Sequence, residues 1–307
     1  MHIYHHISEL TSLSNSIVTI GTFDGVHKGH QKIISRLVEL KQKQGGETVL
    51  FTFDPHPRKI LFPEQKDLKL ITTTAEKCEL LKQYGIDHVL VFPFTKEFSQ
   101  MNANDYISDI ISKGLKTKTL VIGYDHRFGS NREGSIETLK QLAPVYHFEV
   151  EEISAQEINQ LNISSTRIRK AIEEGDIKTA NDYLGYAFFI SGEVVKGKQL
   201  GRTLGYPTAN IYIKDEDKLI PKIGVYAVNV ILHDSIYKGM LSIGYNPTTD
   251  TDHNIKIEVN IFDFDQEIYG QELRLEFVKR IRDEKKFANL EELKHALASD
   301  KIACNDV

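Results

Sequence analysis

Hydrophobic and polar positions follow two different rhythms along the 307-residue chain. In the first half, short apolar runs typical of buried strands alternate with amphipathic stretches of helical period. The predicted strands are Ser16–Ile20, Thr48–Phe53, His88–Phe92, Thr119–Ile122 and Tyr146–Ile153. The predicted helices are Gln31–Lys43, Thr74–Tyr84, Asn104–Ser112, Ser165–Glu174 and Asp176–Leu184. Strands separated by helices predict a parallel, doubly wound sheet with ligands at the carboxyl ends of its strands.

The rhythm changes after about Tyr186, where strand-like runs follow one another without helices between them. The predicted elements are strands at Val225–Leu232, Ile236–Ile243, Ile255–Phe264 and Leu273–Val278, and a helix at Leu290–Ala298. Consecutive strands predict an antiparallel sheet or a small barrel. We therefore expect two domains, residues 1–185 and 186–307.

Composition narrows the class of protein. The formal net charge is -5, and the chain has no long run of Lys and Arg, which argues against nucleic acid as a main partner because binding the phosphate backbone needs a concentrated basic face. No apolar run reaches about 18 residues, so we expect no membrane span. The amino terminus does not resemble a secretory signal. Cys78 and Cys304 are far apart and lack metal-ligand spacing, which favours a reducing compartment such as the cytoplasm.

The first candidate site follows the first predicted strand, where residues 21–30 read GTFDGVHKGH. This segment opens the first long helix, and a helix amino terminus attracts phosphate through its free N–H groups and its dipole. Gly25 and Gly29 let the backbone approach an anion closely. His27 and His30 are three residues apart and share a helical face, so two imidazoles there are placed to bind a triphosphate and stabilise charge at phosphorus.

Other interpretations of these two histidines stay open at this point. A bare H-x-x-H pair is more often a turn with solvated side chains, and two histidines also suit a metal. The strand, glycine loop and helix around the pair favour the phosphate site instead. A zinc site is disfavoured because no cysteine or third histidine stands nearby in the sequence.

A second candidate region begins with the glycine-rich residues 192–205. Residues 192–199 read GEVVKGKQ and nearly match a phosphate-binding P-loop, but Gln199 replaces the required hydroxyl, and glycines and a proline prevent a following helix. We therefore reject a P-loop. Residues 197–205 are still expected to form a loop over phosphates, with Lys198 and Arg202 supplying positive charge.

The residues after this loop carry oxygen ligands and a carboxylate. If Thr208 and Asn210 lie on a strand, the period of two places both on one face, and such hard oxygen donors suit Mg²⁺ carrying a nucleotide. Glu258 alternates with the apolar Ile257 and Val259, which predicts that it lies on the polar face of its strand. Spacing alone favours a solvated side chain there.

Together these segments resemble one known family, the bacterial bifunctional riboflavin kinase/FAD synthetases. In the first half, residues 21–30 are similar to the HxGH nucleotidyltransferase signature, and FDPHP (53–57), GYDHRFG (123–129) and ISSTRIR (163–169) resemble the same family. In the second half, GRTLGYPTAN (201–210), GVY (224–226), SIGYNPT (242–248), IEV (257–259), YG (269–270) and IRDEKKF (281–287) resemble riboflavin kinases. The resemblance covers almost the whole chain in the expected order.

The resemblance implies a fold and an activity. The fold is a Rossmann-like α/β nucleotidyltransferase domain followed by an all-β, six-stranded Greek-key-like barrel with a carboxyl-terminal helix. The activity is phosphorylation of riboflavin to FMN with ATP, then adenylylation of FMN to FAD with a second ATP, releasing pyrophosphate. Mg²⁺ is the implied cofactor, and the partners are the small molecules ATP, riboflavin and FMN.

For the adenylyltransferase, the resemblance implies two sets of residues. His27 and His30 are implied to be catalytic. The implied ATP-binding residues are Gly21, Phe23, Asp24, Gly25, His27, Gly29, His30, Ser165, Thr166 and Arg169. The implied flavin-binding residues are Asp54, Pro55, His56, Pro57, Asp125, Arg127 and Phe128. The chain departs from the family at His126, where an aromatic residue is usual.

For the kinase, the resemblance makes Glu258 the catalytic base that takes the proton of the riboflavin 5′-hydroxyl. It places Mg²⁺ on Thr208 and Asn210. The implied ATP-binding residues are Gly197, Lys198, Gly201, Arg202, Thr208 and Asn210. Arg282 and Phe287 are implied to lie near the flavin ring, although packing or a surface ion pair is an alternative role for each.

Two other functions remain as alternatives. One is a flavin-binding regulator that retains a single activity, which the intact His27, His30, Thr208, Asn210 and Glu258 disfavour. The other is an HxGH nucleotidyltransferase for a different phosphorylated metabolite. The half of the chain that contains Pro207-Thr208-Ala209-Asn210 has no place in that second function.

Overall fold

The structure is a computed structural model that describes residues 1–64, 67–124, 126–154, 163–197, 201, 204–245 and 255–307. Contacts between Cα atoms divide the chain into two compact units, Met1–Ser165 and Thr166–Val307. Both expected architectures are confirmed, a parallel sheet in the first unit and a closed antiparallel barrel in the second.

The first unit is built on a six-stranded parallel sheet. Its strands are β1 His2–Tyr4, β2 Ser16–Ile20, β3 Glu47–Asp54, β4 His88–Pro93, β5 Thr117–Gly123 and β6 Glu149–Ile153. They are arranged in the order β1-β4-β3-β2-β5-β6, so β1 and β6 form the edges. From β2 the chain continues through β3 and β4 on one side of the sheet, and it then crosses to β5 and β6 on the other side. The strand order therefore reverses between the neighbouring strands β2 and β5, which is the topological switch point.

Helices connect these strands. They are α1 Lys28–Gln44, α2 Pro57–Leu61, α3 Thr74–Gln83, α4 Lys96–Ser99, α5 Ala103–Asp105 and α6 Ile136–Leu142, with short 3₁₀ turns at Ile7–Glu9 and Ser130–Arg132. Helix α5 runs directly into a π-helical stretch, Tyr106–Gly114. The sequence pattern predicts an ordinary helix there, and a nine-residue π-helix is unusual because such turns mostly occur singly within α-helices.

Local sequence explains why the two longest helices of this unit form. Helix α1 buries Ile34, Leu37 and Leu40 against the sheet and ends at Gly45, whose φ of 71° is in the left-handed region. Helix α3 begins at a capping box: the Thr73 hydroxyl accepts from the Glu76 N–H, and the Glu76 carboxylate accepts from the Thr73 N–H.

From Thr166 onwards the second unit contains two helices and then the barrel, and the first residue of the first helix, Ser165, is the last residue of the first unit. The elements are α7 Ser165–Glu174, α8 Ile177–Leu184, β7 Phe189–Val195, β8 Ala209–Tyr212, β9 Gly224–Leu232, β10 Ser235–Tyr245, β11 Ile255–Ile261, β12 Glu272–Arg282 and α9 Leu290–Asn305. The strands close in the order β10-β11-β8-β7-β12-β9, with antiparallel neighbours throughout.

Alternation along the strands separates the interior of the barrel from its outer face. Leu241, Leu275 and Phe277 are fully buried in the interior. On the outside, helix α9 covers part of the barrel, where its Cys304 joins Met240 in a small buried cluster. The outer face next to this helix carries the second candidate site.

Three strands are missing from the predicted elements: β1, β7 and β8, of which the sequence raised β8 only as a condition on Thr208 and Asn210. Strand β1 is three residues long, too short for a periodic signal. Strand β7 contains Gly192 and Glu193 among its apolar residues, and these interrupt its alternation. Because Gly192 lies inside a strand rather than in a loop before a helix, the structure agrees with the rejection of a P-loop there.

Helices α7 and α8 group with the barrel. Asn181 on α8 donates from Nδ2 to the Phe277 carbonyl at 2.9 Å and accepts from the Phe188 N–H at 2.7 Å. It therefore ties α8 both to β12 and to the segment that leads into β7. The boundary at 185/186 stays a prediction, and it falls after these two helices.

Candidate active sites

The predicted residues of the first site cluster at one end of the parallel sheet. The loop of residues 21–30 follows β2, Asp54 ends β3, and His126 and Phe128 follow β5. These are carboxyl ends of strands, and β2 and β5 flank the switch point, where open α/β sheets place their ligands. Spatial proximity therefore supports a single site built from these segments.

The loop after β2 is held by hydrogen bonds to the residues that precede helix α3. Asp24 is 3% exposed, and its carboxylate accepts the N–H groups of Ile71 at 3.3 Å and Thr72 at 3.1 Å. The Gly25 N–H donates to the Thr72 hydroxyl at 3.0 Å. Gly25 has a φ of +81°, and a Cβ there would lie 3.0 Å from the Ile71 side chain, so only glycine fits. Asp24 thus holds the loop in place.

His27 and His30 stand together at the start of α1. Their rings are stacked, with centroids 3.7 Å apart and an interplanar angle of 15°. His27 caps the helix, because its Nδ1 accepts the His30 N–H at 3.4 Å. The Phe23 ring lies 4.8 Å from the His30 ring. The Nδ1 atom of His30 is buried and has no hydrogen-bond partner within the described residues, which leaves a polar atom for a ligand.

Electrostatics keep His30 neutral. Burial, followed by the nearby His27 and Lys77, lowers its pKa well below the usual value. The unfolded chain therefore binds this proton at a higher pH than the folded chain does. By linkage, the stabilisation from neutral His30 is present above about pH 6.5 and is lost as the pH falls.

This linkage gives a pH prediction. We expect the melting temperature of the parent protein to fall more between pH 7.5 and pH 5.5 than that of a His30→Gln variant, because the variant has no group at position 30 to protonate. Thermal unfolding followed by circular dichroism at both pH values measures the difference. Equal losses in parent and variant would contradict the lowered pKa.

Lys77 belongs to this site, although sequence reasoning missed it. Its side chain is buried beneath the loop, and Nζ donates to the Thr22 carbonyl at 3.1 Å and to the Thr52 hydroxyl at 2.9 Å. Burial lowers the pKa of its ammonium group. Lys77 lies in an ordinary amphipathic helix, and its neighbours are 55 and 25 residues away, so no local pattern marks it.

A continuous set of aromatic rings links the two segments predicted to contact the flavin. Phe53, just before Asp54, lies 6.0 Å from Phe98; Phe98 lies 6.1 Å from Tyr106; and Tyr106 stacks on Phe128 at 5.3 Å. Sequence reasoning missed Phe98 and Tyr106, which come from α4 and from the start of the π-helix. The rings are tilted against one another, with interplanar angles of 45°, 57° and 27°, and together form an apolar cluster between the carboxyl ends of β3 and β5.

His126 extends this set of rings. It stacks on Phe128 with centroids 5.8 Å apart and an interplanar angle of 26°. The imidazole therefore takes the stacked position next to Phe128, as a planar aromatic side chain would. Neighbouring Arg127 is exposed, and the predicted Asp125 lies outside the described residues.

The segment after β3 is held by one hydrogen bond to a distant residue and one within the turn. The Asp54 carboxylate accepts the Thr74 hydroxyl at 2.9 Å. Pro55 follows through a cis peptide bond. His56 caps α2 by accepting the Arg58 N–H at 3.2 Å, and Pro57 is the first residue of that helix. The hydrogen bonds of Asp54 and His56 fix the turn beside Phe53.

Ser165 reaches the loop after β2, because its hydroxyl donates to the Asp24 carbonyl at 3.1 Å. Thr166 is exposed and Arg169 half-buried on α7. Arg169 follows Ser165 by four residues and shares its helical face. Gly21 donates its N–H to the Phe51 carbonyl at 3.0 Å, and Gly29 is buried at the start of α1.

The second site is a row of residues across the outer face of the barrel. Asn210 on β8 is the direct partner of Glu258 on β11, which is the direct partner of Ser242 on β10. The row continues through Val225 on β9 to Arg282 on β12. Directly opposite residues of antiparallel strands share a face. Asn210 and Glu258 therefore lie side by side, 48 positions apart in the sequence.

Thr208 and Asn210 differ in one respect from the sequence expectation. Strand β8 begins at Ala209, so Asn210 lies on the strand and Thr208 just before it. Asn260 holds this approach in place by donating from Nδ2 to the Pro207 carbonyl at 2.6 Å. Gly197 passes so close to Asn210 that any side chain at position 197 would collide with its carboxamide.

Two clefts meet at Thr208. The loop-side cleft, about 330 Å³, is lined by β-barrel residues and by Phe264–Tyr269, with Thr208 in its wall. The helix-side cleft, about 280 Å³, lies between the barrel and α9 and is lined by Glu258, Ser242 and Thr208. Glu258 thus occupies the polar outer face that its spacing predicts, and that face lines a cleft.

The helix-side cleft contains an ion pair between a half-buried arginine and a buried carboxylate, and sequence reasoning missed the carboxylate partner. Arg282 donates from Nε and Nη2 to the carboxylate of Asp300 on α9, at 2.9 Å and 2.7 Å. Asp300 is only 4% exposed. The guanidinium lies 5.7 Å from the centre of the Phe287 ring. Arg282 and Phe287 are therefore brought together beside the cleft, and Asp300 orients the guanidinium.

Some predictions fall outside the described residues, namely Lys198 and Arg202. Gly201 is described and lines the helix-side cleft. Within the described ranges, no three His, Cys, Asp or Glu side chains gather as metal ligands. No described helix is long and apolar enough to cross a membrane.

Comparison with known proteins identifies close relatives of the chain. A family model described as FAD synthetase matches residues 9–167, and one described as riboflavin kinase matches residues 184–307. The bifunctional riboflavin kinase/FMN adenylyltransferase of Listeria monocytogenes is 38% identical, covering 98% of this chain and 95% of the relative. That of Escherichia coli K12 is 35% identical with the same coverage. A crystal structure described as a macrolide-efflux protein from Streptococcus pneumoniae is 34% identical, with a TM-score of 0.90 over 99% of this chain and 98% of that one.

Proposed function

The chain belongs to the family of bifunctional riboflavin kinase/FMN adenylyltransferases, and from this membership we propose that it makes both FMN and FAD. One ATP phosphorylates riboflavin in the barrel unit. A second ATP adenylylates FMN in the parallel-sheet unit and releases pyrophosphate. Neither reaction needs a covalent enzyme intermediate, so positioning and charge stabilisation carry the catalysis.

One observation carries the kinase assignment: Thr208 lies in the wall shared by two clefts, and Glu258 lines one of them. A kinase needs two substrates to meet at one phosphoryl group. We assign ATP to the loop-side cleft and riboflavin to the helix-side cleft, beside Arg282 and Phe287. Their reacting ends then meet at Thr208, with Asn210 and Glu258 adjacent.

In this arrangement Glu258 is the general base. Its carboxylate accepts the proton of the riboflavin 5′-hydroxyl as that oxygen attacks the γ-phosphorus of ATP. The bond between the γ-phosphorus and the bridging oxygen breaks, and ADP leaves. Glu258 releases the proton to water afterwards, so the enzyme returns to its starting state.

The residues present fit the Mg²⁺ that such a kinase uses. Thr208 and Asn210 offer a hydroxyl and a carboxamide oxygen, which are hard donors of the kind Mg²⁺ accepts alongside phosphate and water. The Gly197 backbone packs directly against the Asn210 carboxamide, which places main chain at residue 197 beside one of the proposed ligands. When bound, Mg²⁺ neutralises charge on the phosphates.

For adenylyl transfer, the FMN phosphate attacks the α-phosphorus of ATP, and pyrophosphate is the leaving group. We assign the stabilisation of this charge to His27, His30 and the amino terminus of α1. His30 is neutral because its pKa is lowered by burial and by the nearby His27 and Lys77. It therefore acts on the phosphates as a hydrogen-bonding group and not as a cation. Ser165, Thr166 and Arg169 are proposed to bind the triphosphate, and the ring set from Phe53 to His126 is proposed to contact the flavin.

The setting of the protein is also proposed. Cys78 and Cys304 are both free thiols, as is usual in a reducing compartment, which supports a cytoplasmic location. The net charge of -5 supports small molecules rather than nucleic acid as partners. We further propose that the functional boundary lies between residues 165 and 186.

A product assay tests this function. Incubated with riboflavin and MgATP, the full chain is expected to yield FMN first and then FAD, separated by chromatography and detected by flavin fluorescence. A fragment that begins at Ile163 is expected to yield FMN only. A fragment that begins at Tyr186 loses the Asn181 hydrogen bonds, so we expect its melting temperature to be lower than that of the Ile163 fragment.

The control for the fragments is a far-ultraviolet circular dichroism spectrum that shows β structure. A folded Ile163 fragment without kinase activity would contradict the assignment of the two reactions to separate units. FMN without FAD from the full chain would favour the regulator or single-activity alternative.

A further inference from the structure

Strand β11 places a lysine next to the proposed base. Lys256 and Glu258 are two residues apart on one strand and therefore share the outer face. The Lys256 Nζ lies 2.7 Å from Glu258 Oε1, and the two side chains are 33% and 29% exposed. Both line the helix-side cleft. The pair thus stands inside the proposed riboflavin site rather than on a remote surface.

The other neighbours of Glu258 in the row are uncharged. Asn210 stands opposite it on β8 and Ser242 on β10. Lys256 makes the only ion pair of Glu258 within the described residues. A carboxylate has two oxygens, and the ammonium group engages Oε1, which leaves Oε2 to accept the substrate proton.

Orientation matters because a glutamate side chain has several rotatable bonds. A general base works only from within hydrogen-bond reach of the proton it removes, and the rate falls when the reacting groups are misaligned. An ammonium group fixed on the same strand restricts the carboxylate without blocking it. No other described group does this from within the row.

We infer that Lys256 is a positioning residue for Glu258 in riboflavin phosphorylation. The inference rests on the proposed role of Glu258 as general base. Lys256 acts through the carboxylate and not on the phosphates, so its effect is expected to vanish when the carboxylate is absent.

A double-mutant cycle on the full chain tests this. We measure steady-state riboflavin phosphorylation for the parent, Lys256→Met, Glu258→Gln and the double variant. Lys256→Met is expected to lower kcat about 10-fold, by loosening the alignment of the base, with little change in the KM for ATP. The double variant is expected to match Glu258→Gln alone. Lys256→Arg is expected to recover most of the rate, because it keeps a charged donor for Oε1.

Two controls accompany the cycle. Lys279→Met removes an exposed lysine from β12 of the same barrel and is expected to leave both reactions unchanged. FAD formation from supplied FMN is expected to be normal in all the variants, because that reaction belongs to the other unit.

The outcomes separate the inference from the proposed function. If Glu258→Gln lowers kcat strongly but Lys256→Met retains the parental kcat, the inference about Lys256 is wrong and the assignment of Glu258 as base stands. If the losses multiply in the double variant, or the KM for ATP rises, Lys256 contacts phosphate directly and the inference is again wrong. If Glu258→Gln is fully active, the base assignment fails and the inference fails with it.

Discussion

Glu258→Gln is expected to slow riboflavin phosphorylation about 10²- to 10⁴-fold, the usual contribution of a general base. Glutamine keeps the shape of the side chain and its place beside Asn210, but it does not accept the proton of the 5′-hydroxyl. The ATP site is expected to persist, because Thr208 and Asn210 are unchanged. We therefore expect the substitution to lower kcat for riboflavin phosphorylation and to leave the KM for ATP nearly constant.

Initial rates of FMN formation at saturating MgATP measure this effect. Glu272→Gln is a matched control, since Glu272 is an exposed glutamate at the start of β12, and it is expected to behave like the parent. FAD formation from supplied FMN serves as an internal control for folding and is expected to be nearly normal. A Glu258→Gln variant that phosphorylates riboflavin within a few-fold of the parental rate would contradict the assignment of Glu258 as base. Glu258 would then be the solvated side chain that its spacing alone suggests.

The second large effect concerns the stacked histidines. His30→Ala is expected to lower FAD formation about 10²- to 10³-fold, the usual result of losing one donor that stabilises charge in the transition state. The half-buried ring stands between Phe23 and His27, and its buried Nδ1 has no partner in the described part of the chain. FMN formation is expected to survive, because the barrel residues are untouched.

FAD formation from supplied FMN and MgATP, followed by chromatography, measures the loss. His5→Ala removes an exposed histidine from the same unit and is expected to have no effect. A melting curve of His30→Ala separates lost catalysis from lost structure, and His30→Gln supplies a variant that fills more of the same space. Parental FAD formation in both folded variants would exclude His30 from the mechanism.

Much of the fold is predictable because local signals agree with it. Strand β2 and helix α7 have the predicted bounds, Ser16–Ile20 and Ser165–Glu174. Helix α1 differs only at its ends, where three residues of the first turn precede the apolar face. Boundaries of this kind depend on capping, which is specified by neighbouring residues.

The features that the sequence does not reveal depend on distant partners. Lys77, Asp300 and the aromatic Tyr106 acquire their roles only when segments far apart in the chain meet. In the sequence, Lys77 cannot be distinguished from a solvated lysine of an amphipathic helix. Its role depends on Thr22 and Thr52, which contact its ammonium group only in the folded chain. The predicted site residues themselves were found through the resemblance of whole motifs, because spacing alone gave Glu258 a solvated role.

The two edges of the parallel sheet bear on how the chain behaves at high concentration. An open edge offers unpaired backbone groups to a strand of another molecule, which begins aggregation. Edge strand β1 has three residues, and edge strand β6 carries Glu149, Glu151 and Glu152 within five. A short strand and a strand rich in charged side chains are both poor templates for a foreign strand, and the closed barrel offers no edge. We therefore expect folded molecules to resist strand-to-strand association.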